Sequence, residues 1–183
     1  DISAGDVSIR DSQILDNDTA AVNGDILGIG DDPMLAPRVE IVNVLLAGNN
    51  SARPTVNGSA SSGSITMTNV TIADNTVSDF PIVAGDGIWT IRNSMLWGNT
   101  TPGDMLGYGT FAVSYSDIEG GWTGTGNIDA DPQFVDAASG DYHLGVGSPC
   151  IDGGTSSGAP THDIEGTPRD AMPDMGAYEW TGF

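Results

Sequence analysis

Apolar and polar residues recur along this chain in a short pattern that is clearest at 89–99 (WTIRNSMLWGN). The same pattern aligns without gaps at 7–17 (VSIRDSQILDN), 39–49 (VEIVNVLLAGN), 65–75 (ITMTNVTIADN) and, in a looser copy, 111–121 (FAVSYSDIEGG). The first, third and eighth positions of each copy are large and apolar, as in Val39, Ile41 and Leu46 or Ile65, Met67 and Ile72. Apolar residues two apart lie on one face of an extended strand, so each copy predicts a short strand with one buried side. The fifth position carries Asp11, Asn43, Asn69, Asn93 and Tyr115, where a small polar side chain suits a bend.

The eighth positions follow one another at intervals of 32, 26, 24 and 22 residues. A unit of that length cannot bury its own apolar face, but stacked copies line a common interior. Asn43, Asn69 and Asn93 are expected to stack as a structural ladder, each amide bonding to its copy in the next coil. The predicted fold is all-β: a right-handed, single-stranded parallel β-helix with an irregular C-terminal cap, the hand following the general crossover preference. Segment 20–30 reads as further strands of the first coil and 81–83 as the other wall of the third, 31–38 as a loop between coils, 56–58 as the entry to a flexible Ser/Gly run that ends at Gly63, and 100–104 as a loop before 105–106. Residues 1–121 form the coils, and residues 122–183 form the last coil and a capping segment of the same domain, expected as a lid over that coil. The chain opens directly into a repeat, which suggests a processed product or a fragment of a longer protein.

Charge sharpens this picture. The formal net charge is -20, from 25 acidic and 5 basic residues, and all but Glu40, Glu119, Glu165 and Glu179 of the acids are Asp. Asp favours turns, which a solenoid has in number. The excess repels nucleic acid and anionic membranes and suits divalent cations or a basic partner. The sequence contains no transmembrane stretch and no signal peptide. The single cysteine, Cys150, reads as a buried thiol beside Ile151.

The repeat stops after Gly121, and the remaining segment has its own motifs: DPQFVD at 131–136, DYHL at 141–144, SPCIDGG at 148–154 and DMGAYE at 174–179. With these motifs the chain resembles secreted bacterial β-helix proteins of the choice-of-anchor Q type, within the pectin-lyase-like superfamily. The resemblance implies a secreted or cell-surface location and no particular reaction. Enzymes of the superfamily would imply an acidic polysaccharide substrate, with either clustered Asp around Ca²⁺ and an Arg or Lys base, or paired Asp as acid and base.

The residues favour a structural role over that chemistry. Arg10 and Arg92 share an outward position but stand three coils apart, about 14 Å at strand spacing. Asp152, Asp163, Arg169 and Asp174 are expected to pair and pin the lid. Asp163, Glu165 and Asp174 form the alternative, a Ca²⁺ site, and Asp31-Asp32 and Asp129/Asp131 are lesser Ca²⁺ candidates. Trp97, Tyr108, Trp122 and Trp180 are the rings available for a carbohydrate.

The expected function is therefore a non-enzymatic extracellular or cell-surface β-helix module with a structural, adhesive or assembly role, including that of a filament subunit. Its expected partners are other surface proteins or copies of itself, and it should insert into no membrane. The alternatives are a polysaccharide lyase or glycoside hydrolase acting on acidic polysaccharide, and a carbohydrate-binding module.

Overall fold

The aligned positions of the repeat become the register of one parallel sheet. In the computed structural model, which describes residues 7–22, 24–29, 38–58 and 63–182, the elements in chain order begin with β1 (Val7–Leu15), β2 (Leu27–Ile29), β3 (Arg38–Ala47), β4 (Asn50–Ser51) and β5 (Val56–Gly58). They continue with β6 (Ser64–Ala73), β7 (Thr76–Val77), β8 (Val83–Ala84), β9 (Ile88–Arg92), β10 (Met95–Trp97) and β11 (Leu106–Gly107). The last are β12 (Thr110–Ser114), β13 (Asp117–Ile118), β14 (Phe134–Asp136) and β15 (Asp141–Leu144).

Strands β1, β3 and β6 and the strand pairs β9/β10 and β12/β13 stack in parallel as five rungs. Ile9, Ile41, Met67, Ile91 and Val113 stand in register, as do Ile14, Leu46, Ile72, Leu96 and Ile118. A second parallel sheet, β2-β5-β8-β11, forms the facing wall, and β4 pairs with β7 at the corner between them. The chain is thus a parallel β-solenoid. Its interior is apolar: Ile41, Leu46, Ile65, Met67, Ile72, Trp89, Ile91 and Leu96 are fully enclosed with Val56 and Val83 of the facing wall.

Two left-handed residues shape each rung. Asp11, Asn43, Asn69, Asn93 and Tyr115 have φ between +47° and +54°, a conformation that Asn and Asp tolerate better than other side chains. After this bend the sixth and eighth positions face inward, while the seventh and ninth face out. The second bend reads Asp16, Gly48, Asp74 and Gly98, all at positive φ. The alternation is steric: a Cβ on Gly48 would sit 2.3 Å from Asp16 Oδ1, and one on Gly98 would sit 2.2 Å from Asp74 Oδ1. Ser94 and Ser116 at the sixth position divide the last two rungs, because their hydroxyls take the amides of Val70 and Ser94 in place of strand partners.

The Asn ladder lies one bend further along than the fifth position. Asn17, Asn49, Asn75 and Asn99, at the eleventh position, form a continuous chain in which the backbone N–H and side-chain amide of each donate to Oδ1 of the next at 2.8–3.0 Å. The expected ladder at the fifth position exists only as separate links, Asn43 to Asp11 Oδ1 at 2.9 Å and Asn93 to Asn69 Oδ1 at 3.3 Å. Those amides face away from the apolar interior and serve the C-terminal segment instead.

That segment is a strap along the flank as well as a lid. Residues 122–128 run beneath the last rung: Tyr115 and Ile118 donate to the carbonyls of Thr125 and Ile128, and Trp122 meets Phe111 edge-on at 6.0 Å. The chain then turns back and crosses the outer face of the rungs in reverse order. Gly176 N–H donates to the Asn93 carbonyl, Ala177 N–H to Thr71 Oγ1, and Gln13 of the first rung donates to the Tyr178 hydroxyl. The reason lies in the outward seventh and ninth positions. Leu45, Ala47, Ala73 and Met95 are apolar, and Tyr142, Ala177, Tyr178, Cys150 and Met175 cover them. The loop expected at 31–38, except Arg38, lies outside the described residues, as do Asp31-Asp32 and the Ser/Gly run at 59–62.

Candidate functional site

Three places gather polar or aromatic groups: a buried knot under the strap, a histidine on its surface, and an exposed ring on the facing wall.

The knot centres on Arg169, whose side chain is 1% exposed. Its Nη1 donates to Glu179 Oε2 at 2.8 Å; Nη2 donates to the carbonyls of Gly176 and Ala177 and to Asn43 Oδ1. Burial lowers the guanidinium below its ordinary value, and Glu179 opposes that shift. Arg169 thus joins the strap to the rung through Asn43, and its ion partner is Glu179 rather than the expected aspartates.

The aspartates instead fold the strap onto itself. Asp163 accepts the amides of Glu165 and Thr167 on Oδ1 and that of Glu179 on Oδ2. Asp174 accepts Asp152 N–H on Oδ1 and Trp180 N–H on Oδ2, and burial pushes its carboxyl up to about 6 despite those bonds. Asp152 contributes through its backbone and sits at φ +57°. Asn69 Nδ2 donates to the carbonyls of Asp174 and Gly176, and Asn93 exchanges bonds with Thr155. Glu165, the third member of the proposed Ca²⁺ set, points to His143 Nε2 at 3.2 Å. Among the described residues no group of three or more His, Cys, Asp or Glu side chains converges to hold a metal. Asp129 and Asp131 each accept a backbone amide, from Gly120 and Gln133.

Beside the knot, Cys150 Sγ donates to Asp117 Oδ2 at 3.3 Å, both residues wholly enclosed. Burial pushes Asp117 up to about 6, with the Ala130 amide opposing, and raises the Cys150 thiol far above its usual value, with Asp117 adding to the effect. Such a thiol is inert.

His143 is the polar group on the strap surface. Its ring lies tilted by 37° against Tyr178 with centroids 4.1 Å apart, Nδ1 2.7 Å from Asp141 and Nε2 3.2 Å from Glu165. Burial alone would lower its pKa, but the two carboxylates outweigh it and raise it. Asp141 is lowered in turn by its bond to His143.

The four candidate rings separate by environment. Trp97, Trp122 and Trp180 are half-buried, Trp122 under the last rung and Trp180 against the Met95 and Cys150 cluster. Tyr108 alone is open, at 65% exposure, edge-on to Phe80 at 6.4 Å. Phe80 carries Arg53 over its ring at 5.2 Å, a partner that the sequence pattern left unremarked because residues 53, 80 and 108 come from three different coils. Arg10 pairs with Glu40, and Arg92 Nη1 donates to the Ser157 carbonyl, so the outward arginines hold rungs and strap together. Among the described residues no helix is long and apolar enough to cross a membrane. Comparisons with family models, with curated proteins and with solved structures find no match for this chain, so its reading rests on the geometry above.

Proposed function

We propose that this chain is a non-enzymatic module of a secreted or cell-surface protein, in which the solenoid is a stiff body with a structural, adhesive or assembly role. One observation carries the reading. The ionisable groups of the buried knot, Arg169, Glu179, Asp163 and Asp174, are committed to one another and to strap and rung backbone rather than turned toward a substrate. The acidic composition and the choice-of-anchor Q resemblance of the strap motifs support the location. The test is incubation with acidic and neutral polysaccharides, with and without Ca²⁺, followed by assays for new reducing ends and unsaturated uronates. No product is expected; product formed by the purified chain from any of these polymers would overturn the reading.

A further inference from the structure

The outer face of the β2-β5-β8-β11 wall carries two shallow grooves that share one ridge. The first, of about 400 Å³, is lined by Arg53, Asn57, Phe80, Asp86 and Tyr108. The second, of about 310 Å³, lies on the other side of Tyr108, against Pro81, Pro102 and Asp104. The ridge is the Tyr108 ring, held at φ +63° between Gly107 and Gly109. A tyrosine in that conformation is strained, and a ring left 65% exposed recovers little from packing.

The polar groups around this ring narrow its ligand. Arg53 is the cation of the first groove, and its charge is already met by Asp25, 3.2 Å from Nε. Asp25 also accepts Asn57 Nδ2 at 3.2 Å, which leaves the Asn57 carbonyl oxygen as a free acceptor among the described residues. Asp86 and Asp104 add negative charge on a chain whose formal net charge is -20, so a polyanion is repelled. A cation is opposed as well, because Arg53 occupies the Phe80 face that would bind it. A neutral ring remains, one whose C–H face lies on an aromatic side chain and whose hydroxyls need both donors and acceptors. Arg53 supplies donors, and Asp86 and Asn57 supply acceptors.

We propose that Tyr108, Phe80, Arg53, Asn57 and Asp86 form a binding site for a neutral oligosaccharide, with one sugar ring in the groove on each side of Tyr108. The site stands independently of the scaffold reading, since a sugar-binding solenoid and a bare one are equally non-catalytic.

The experiment is affinity electrophoresis of the full chain through gels containing a soluble β-glucan, an α-glucan, a galactomannan or polygalacturonate. At least one neutral polymer is expected to retard the wild-type chain. Tyr108→Phe should keep the retardation, and Tyr108→Ala should weaken it at least tenfold. Tyr108→Gly relieves the backbone strain, so loss of binding in that variant with an unchanged or higher melting temperature separates lost contact from lost fold. Retardation by polygalacturonate alone, by none of the polymers, or equally in wild type and Tyr108→Gly would overturn the proposal.

Discussion

The side-chain amide of Asn75 donates to Oδ1 of Asn99 at 2.9 Å while its own Oδ1 receives both the backbone and side-chain N–H of Asn49. Asn75 also donates to the carbonyls of Leu46 and Ala73, and it is wholly enclosed. Replacing it with Ala strands several buried partners at once, each costing about 1–3 kcal/mol when unsatisfied. Asn75→Ala should therefore destabilise the chain by roughly 3 kcal/mol or more. Asn17→Ala, at the exposed end of the same ladder, should cost less than about 1 kcal/mol. Urea denaturation of the two variants measures the difference, and equal losses would remove the ladder from the account.

Arg169 is the second point of vulnerability. Its removal leaves the Glu179 carboxylate buried without its cation, a defect worth about 3–5 kcal/mol. The strap should loosen before the rungs do, because the rungs keep their own ladder and apolar interior. Limited proteolysis of Arg169→Ala is expected to cut within 155–182 while the far-ultraviolet circular dichroism stays that of a β protein. Cleavage beginning within the rungs would show that strap and solenoid are not separable in this way.

The dependence on pH follows from carboxyls whose burial is imperfectly offset. Asp117 and Asp174 are each raised from 3.8 to about 6, so between those values the folded chain holds protons that the unfolded chain has released. Their contribution is fully present below the unfolded pKa and is lost as pH climbs through about 6. His143, also raised, acts in the same direction, whereas the lowered Asp141 takes stability away only as pH falls further, into the carboxylate range. The melting temperature should thus be higher near pH 5 than near pH 7.5. Asp117→Asn should flatten that slope and stabilise the neutral protein by on the order of 2 kcal/mol. A melting temperature that declines steadily from pH 7.5 to pH 5 would refute this assignment.

Cys150 offers a direct check on the strap. The thiol is 0% exposed and bonded to Asp117, so native protein should resist alkylation by iodoacetamide and react only at the rate at which the strap opens. Arg169→Ala should accelerate labelling at least tenfold. Rapid labelling of the native wild-type chain would mean that the segment around 148–154 is not seated as described.

The rungs were legible because side-chain direction in a strand is periodic and local. Residues such as Ile41, Met67 and Ile91 repeat at spacings that a gap-free alignment recovers, and the sheet pairs them in that register. The continuous ladder runs along the eleventh position while the fifth is linked only in part, and the reason is physical: Asn at both positions follows the repeat, and sequence alone does not separate an amide chosen for a left-handed bend from one chosen for stacking. The shared Gly-Asn or Asp-Asn ending held the missing signal, since the alternation of Asp16, Gly48, Asp74 and Gly98 beside it reflects close packing between coils. The flank position of the strap was out of reach, because it depends on contacts such as Gln13 with Tyr178, 165 residues apart. Apolar outward residues, Leu45 and Ala47 among them, were its one trace in the sequence.

Every feature of the molecule described above depends on the stacking of successive rungs, and Thr66 and Thr90 test that stacking most directly. They are register partners on the outer face of β6 and β9, so their Cα atoms lie within the range a disulfide spans. Mild oxidation of the Thr66→Cys, Thr90→Cys double variant should give an intrachain bond in the folded monomer, read by non-reducing electrophoresis and peptide mapping. The Thr66→Cys, Arg92→Cys pair, two residues out of register, should link far more slowly. Failure of the first pair to link, or equal linkage of both, would contradict the solenoid.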